Sequence, residues 1–120
     1  MFGLILAIAS VVALGCLIAY AVVLTFRWLK NKIKEKLTQK NAKKVAVADL
    51  SEMIDSCENK MSLSDLENLQ DEGYTHLVAT VDNNGQVSEV EVIKNTADDI
   101  DEEVERFINR TGEGMVVIER

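Results

Sequence analysis

The first 26 positions, MFGLILAIASVVALGCLIAYAVVLTF, hold no charged side chain. About 20 apolar helical residues span a ~30 Å hydrocarbon core, so the run predicts a transmembrane helix over 1–26. Gly3, Ser10 and Gly15 are compatible with it, because small residues are common in membrane helices. Tyr20 and Trp28 fall toward its C-terminal end, where amphipathic rings suit the interface. A signal peptide cut at Ala19-Tyr20-Ala21 is disfavoured: no basic stretch precedes it, and the apolar run continues through Phe26. A lipoprotein processed at Cys16 is disfavoured because Leu14 stands where a small residue belongs. A buried helix of a soluble core fits poorly, since 26 uncharged residues exceed what a chain this small can cover.

The stretch that follows sets the expected orientation. Residues 27–44 carry Arg27, Lys30, Lys32, Lys34, Lys36, Lys40, Lys43 and Lys44 against one acid, Glu35, a net charge of +7. Cations flanking a span stay on the cytoplasmic side. The expected protein is therefore single-pass in the cell membrane, N-terminus outside and C-terminal domain cytoplasmic. Phe26, Leu29, Ile33 and Leu37 recur every three or four residues, which predicts an amphipathic connector helix with a narrow apolar stripe. Its membrane-surface contacts are Arg27, Trp28, Lys30, Lys32, Lys34 and Lys36, whose cations meet anionic headgroups at about 1 kcal/mol each or solvate a helix leaving the bilayer.

From Val45 the pattern is that of a folded domain, 45–120. Val47, Leu50, Ile54, Cys57 and Met61 predict a helix over roughly 45–60. Ser64 and Glu67 match a capping box that opens a short helix with the stripe Leu66 and Leu69, and Gly73 stops it. Residues 75–94, THLVATVDNNGQVSEVEVIK, alternate as two strands around Asn84-Gly85, the preferred pair for a two-residue hairpin turn. Asp82 then faces Val87, Ala79 faces Val90 and Leu77 faces Val92. One side holds Leu77, Ala79, Val81, Val90 and Val92. The other, expected to be exposed, holds His76, Val78, Thr80, Glu89, Glu91 and Ile93. Thr96 is expected to cap a helix over 97–110, acidic in its first turn, with Ile100, Val104, Phe107 and Ile108 inward and Gly112 as its stop. Met115-Val116-Val117-Ile118 predicts a last strand, covered on both faces or paired with another subunit. The expected fold class is thus a single N-terminal transmembrane α-helix, a basic connector and a small α+β domain (helix, short helix, β-hairpin, helix, strand) with a three-stranded sheet.

Charge and chemistry narrow the function classes. The domain has a net charge of −14 and the whole chain −7, which repels phosphates and argues against nucleic acid. His76 is the only histidine, so a multi-histidine metal site or a Ser/His/Asp triad has little to stand on. Cys57 is expected as a buried small hydrophobe. The acidic run Asp98–Glu105 and the turn Asp82–Gly85 lack calcium-loop spacing. Thr111-Gly112-Glu113-Gly114 lacks the lysine of a phosphate cradle. No cofactor, metal, catalytic residue or small-molecule substrate is therefore expected. An enzyme would need a pocket gathering Glu89, Glu91 and His76. The rhythm Val81-Asp82-x-x-Gly85-x-Val87, followed by a helix and a strand, resembles the C-terminal domain of TonB-type energy transducers. The charge flank is opposite and Pro is absent, so no role is carried over. The expected function is a membrane-anchored interaction, regulatory or accessory module of a membrane complex. Its partners are the lipid bilayer and a protein, or a second copy, bound through a sheet edge. The alternative is a small membrane immunity or exclusion factor acting through Gly3, Ser10 and Gly15 of its helix.

Overall fold

A computed structural model describes residues 2–57, 64–111 and 114–119. The uncharged N-terminal run is divided into three pieces by two local signals. Helix α1, Phe2–Ala13, ends where Gly15 adopts φ +74°, the left-handed stop favoured by a residue without Cβ. Strand β1, Leu17–Val22, follows. Thr25 then caps helix α2, Phe26–Leu37, its hydroxyl accepting from the Trp28 N–H at 3.1 Å. At 1.5 Å per residue α1 is only about 18 Å long. No helix of the described residues is long and apolar enough to cross a membrane. This overturns the expected transmembrane helix, and with it the single-pass topology that rested on it. The absence of charge has another cause: Ile5, Ile8 and Val12 of α1 and Leu24 are buried against the rest of the chain.

The remaining elements are β2 (Ala42–Asp49), α3 (Leu50–Cys57), α4 (Ser64–Asp71), β3 (His76–Asp82), β4 (Val87–Asn95), α5 (Glu102–Ile108), a 3-10 turn (Asn109–Thr111) and β5 (Met115–Glu119). The sheet has five strands in the order β1-β4-β3-β2-β5, not three. β1 runs parallel to β4, and the other pairings are antiparallel. The expected helix over 45–60 is a strand through Asp49 and a helix only over Leu50–Cys57, with 58–60 outside the described residues. Val45, Ala46, Val47 and Ala48 are all buried, and a strand covered on both faces reads as a continuous apolar run that satisfies helical spacing by accident.

Two apolar layers hold the helices to the sheet. On one face Ile5, Ile8 and Val12 of α1, Leu50 and Met53 of α3, and Leu66 and Leu69 of α4 pack on Ala46, Ala48, Leu77, Ala79, Val90, Val92 and Met115. On the other, Leu29 and Ile33 of α2 and Val104 and Ile108 of α5 pack on Val45, Val47, Val78, Ile93 and Val116. The hairpin faces divide as expected, but the second face is covered by α2 and α5 instead of exposed. Ala79 faces Val90 and Leu77 faces Val92, whereas Val81 faces Val87 across an irregularity. The loop is one residue longer than a two-residue turn. Gly85 N–H donates to the Asp82 carbonyl at 3.1 Å, Asp82 N–H donates to that of Gln86 at 2.8 Å, and Gly85 has φ +79°. An extra residue in β4 restores the register beyond it. α5 starts later than expected, capped by Asp101 and not Thr96, which leaves Ile100 exposed at 43 %. The expected stop Gly112 lies outside the described residues. β5 lies at the far edge, antiparallel to β2.

Candidate functional site

The second face of the hairpin carries two polar clusters beneath the helices. The first is built by α2 and β4. Leu29, Lys32, Ile33 and Lys36, spaced by three and four, form the buried stripe of α2. Glu89 and Glu91, two residues apart on β4, point to the same side. Lys36 Nζ pairs with both Glu89 and Glu91. Lys32 Nζ lies 3.3 Å from Glu91 Oε2, 3.6 Å from Glu35 Oε2 and 3.2 Å from the Tyr20 hydroxyl. It also sits 4.4 Å over the Tyr20 ring and 5.5 Å from the Trp28 centroid, and those two rings meet edge-on at 5.8 Å. Burial pulls both ammonium groups down, but Tyr20 and Glu91 at Lys32, and Glu89 and Glu91 at Lys36, outweigh it and the net shift is upward. This cluster ties α2 to the sheet by compensated charge.

The expected membrane-surface residues therefore part company. Lys32 and Lys36 are 8 % and 4 % exposed and face the sheet. Trp28 packs on Tyr20. Arg27, Lys30 and Lys34 remain on the outer side, lining a groove of about 390 Å³ with Asn31, Ile33, Phe107 and Ile118. Asn84 and Gly85 lie in the hairpin loop, where Asp82 Oδ1 accepts from the Asn84 N–H at 2.9 Å and the Gln86 N–H at 3.0 Å.

The second cluster lies at the end of the sheet where β2 finishes and β3 begins. The antiparallel register sets Asp49 directly opposite His76, and α5 brings Glu105 over them. One donor atom from each of these three residues lies within 4.8 Å of the others. Asp49 Oδ2 is 3.9 Å from His76 Nε2, and Asp49 Oδ1 accepts from the Glu52 N–H at 3.3 Å. His76 Nδ1 is 2.7 Å from the Thr75 hydroxyl. Asn109 Nδ2 donates to Glu105 Oε2 at 3.1 Å. Burial pushes the imidazole below its ordinary value, with Asp49 pulling the other way. Burial, then Asp49 and Glu52, push the Glu105 carboxyl up against the opposing Asn109 bond. A cleft of about 280 Å³ lined by Asp49, Ser51, Tyr74, Thr75 and His76 opens beside the pair.

His76, Glu89 and Glu91 share one face, as alternation requires, but do not gather in one pocket. The carboxylates belong to the lysines, and the imidazole belongs to Asp49 and Glu105. Sequence reasoning missed the first cluster although two lysines at i, i+4 and two glutamates at i, i+2 were a legible pair of complementary stripes. It missed the second because Asp49 was placed inside a helix. Comparison with known proteins finds no matching family, no matching curated sequence and no matching solved structure.

Proposed function

We propose that this protein is an interaction module that works by joining its sheet, through strand β1, to β1 of a second copy. The observation that carries this reading is the state of that edge. β1 ends the sheet order, so its outer backbone groups meet no further strand among the described residues. Edge strands are normally blunted by charge, Pro or a covering element. Residues 17–25, LIAYAVVLT, contain neither charge nor Pro. Ile18 and Val23 are 42 % and 56 % exposed, and Leu14 just before the strand is 77 % exposed. At the opposite edge β5 likewise has no outer neighbour among the described residues, but it is only five residues long and ends in the charged Glu119.

A second copy is the occupant that this composition favours. Two β1 strands meeting antiparallel about a two-fold axis place uncharged residues opposite one another, with no like-charge pair at the seam. The net charge of −7 is carried elsewhere on the chain. Main-chain hydrogen bonds would supply the affinity, and the product is one continuous ten-stranded sheet.

Sedimentation of the full chain under reducing conditions, which keep the exposed Cys16 from cross-linking, tests this. The wild type is expected to be dimeric across a micromolar concentration series. Ala19→Lys and Ala21→Lys, at exposed positions of β1, are expected to be monomeric with unchanged circular dichroism. A monomeric wild type, or lysine variants that still dimerise, would overturn the reading.

A further inference from the structure

His76 is the one histidine of the chain, and its Nε2 is buried with no hydrogen-bond partner. The residue is 1 % exposed. Neither tautomer relieves it. With the proton on Nδ1, the ring donates to the Thr75 oxygen and Nε2 presents a bare lone pair to Asp49 Oδ2, 3.9 Å away. With the proton on Nε2, the Thr75 hydroxyl donates to Nδ1 and the Nε2–H has no acceptor within hydrogen-bond reach. A lone pair and two carboxylates converging on one point is an arrangement that a cation completes, and buried polar atoms without partners are rare enough to need a cause.

We propose that Asp49, His76 and Glu105 bind a divalent first-row transition-metal ion through Nε2 and one oxygen of each carboxylate. The donor set suits such an ion: an imidazole nitrogen disfavours magnesium and calcium, which take oxygen, and the two carboxylates neutralise the 2+ charge. The present spacing, up to 4.8 Å between donor atoms, is open. Bonds of ~2.0–2.1 Å in a tetrahedral site bring neighbouring donors to about 3.4 Å. Glu105 is only half-buried, which leaves its side chain room to turn toward the ion. Binding selects the tautomer with its proton on Nδ1, donated to Thr75 Oγ1, while the Thr75 hydroxyl proton turns to the Ile93 carbonyl at 3.4 Å. That is the outer hydrogen bond by which metal-bound histidines are oriented. The cleft beside Asp49 and His76 gives water access to a fourth position. The ion would join α5, which otherwise rests on the sheet through Val104 and Ile108, to the hydrogen-bonded β2–β3 pair.

The single histidine makes the test unambiguous. Full-length chain without a histidine tag is stripped with EDTA and titrated with Zn²⁺, with calorimetry for stoichiometry and ¹⁵N-histidine NMR for the ring. One ion per chain is expected, with a large shift at Nε2 and a smaller one at Nδ1. Glu105→Gln, at a half-exposed position that should leave the fold intact, is expected to weaken binding by at least ~10-fold, the lower end of what even outer-shell changes cost. Glu52→Gln, a neighbouring acid outside the donor set, is expected to keep the stoichiometry and the Nε2 shift. No saturable one-to-one binding, an unmoved Nε2, or a Glu105→Gln affinity equal to wild type would overturn the proposal.

Discussion

Glu91 is 1 % exposed in the middle of a sheet strand, and two ammonium groups from one helix reach it. A carboxylate so placed is tolerable only while it is paired, because removing one partner of a buried ion pair leaves an uncompensated charge and costs about 3–5 kcal/mol. Lys36→Met leaves Lys32, 3.3 Å from Glu91 Oε2, as the remaining cation, so it should lower the unfolding free energy in urea titrations by a part of that amount, about 1–3 kcal/mol. Lys36→Met combined with Glu91→Leu should be more stable than Lys36→Met alone. If the double variant is the worse of the two, the pairing is not what holds α2. The same lysines set an alkaline limit. Their folded pKa values are raised above 10.5, so their contribution is complete below that value and disappears as pH climbs through the raised ones. The thermal midpoint should hold from neutral pH up to 10.5 and then fall, less steeply in the double variant. At this scale the chemistry was half legible. Alternation placed His76, Glu89 and Glu91 on one face, but nothing in the hairpin alone says that a helix from residues 26–37 will cover it. Lysines beside an apolar stripe read as solvent-facing until something acidic is known to lie opposite.

Among the elements, the joint between β5 and α3 is the tightest. Gly114 has φ +73°, and a Cβ there would lie 2.7 Å from Glu52 Cβ and 2.7 Å from the Met53 nitrogen. Its carbonyl accepts from the Asp49 N–H at 2.9 Å. Gly15 has nearly the same φ, +74°, with nothing within 4 Å. A non-glycine residue in the left-handed region costs roughly 1–2 kcal/mol by itself. Gly15→Ala should lose about that much, and Gly114→Ala distinctly more, because the clash is with backbone that cannot rotate away. Equal losses in urea would show that the contact relaxes freely. The elements that announced themselves were those with local punctuation: Ser64 and Gly73 around α4, and the Asn-Gly loop between β3 and β4. β2 went unseen because Val45–Ala48 face packed helices on both sides and show no alternation. The start of α5 was displaced to Asp101, whose Oδ1 accepts from Glu103 N–H at 2.9 Å and whose Oδ2 accepts from Phe26 N–H at 3.1 Å. The second of those bonds reaches 75 residues along the chain, and no local rule anticipates it.

For the molecule as a whole, the N-terminal run decides the architecture. A hydropathy window sees 26 uncharged residues and infers lipid. The alternative solution is a helix on one face, a strand at the edge and the opening of a helix on the opposite face. Gly15 and Thr25 mark those joints, but they carry weight only if the run is tested for breaks before its length is measured. If α1 belongs to the core, Ile8→Ala, at 0 % exposure, should cost about 2–5 kcal/mol in the unfolding of the whole chain. Leu14→Ala, 77 % exposed, should stay within ~0.5 kcal/mol. Two unchanged transitions would mean that the run is an appendage. The parallel pairing of β1 with β4 also has a temporal side. Leu17 sits beside Val90, so the ribosome makes the partner of β1 73 residues (90 against 17) after β1 itself. At ~5–20 residues per second that is a wait of roughly 4–15 s. During it the greasiest stretch of the nascent chain has no strand to pair with, a burden that falls on chaperones and on the speed of translation.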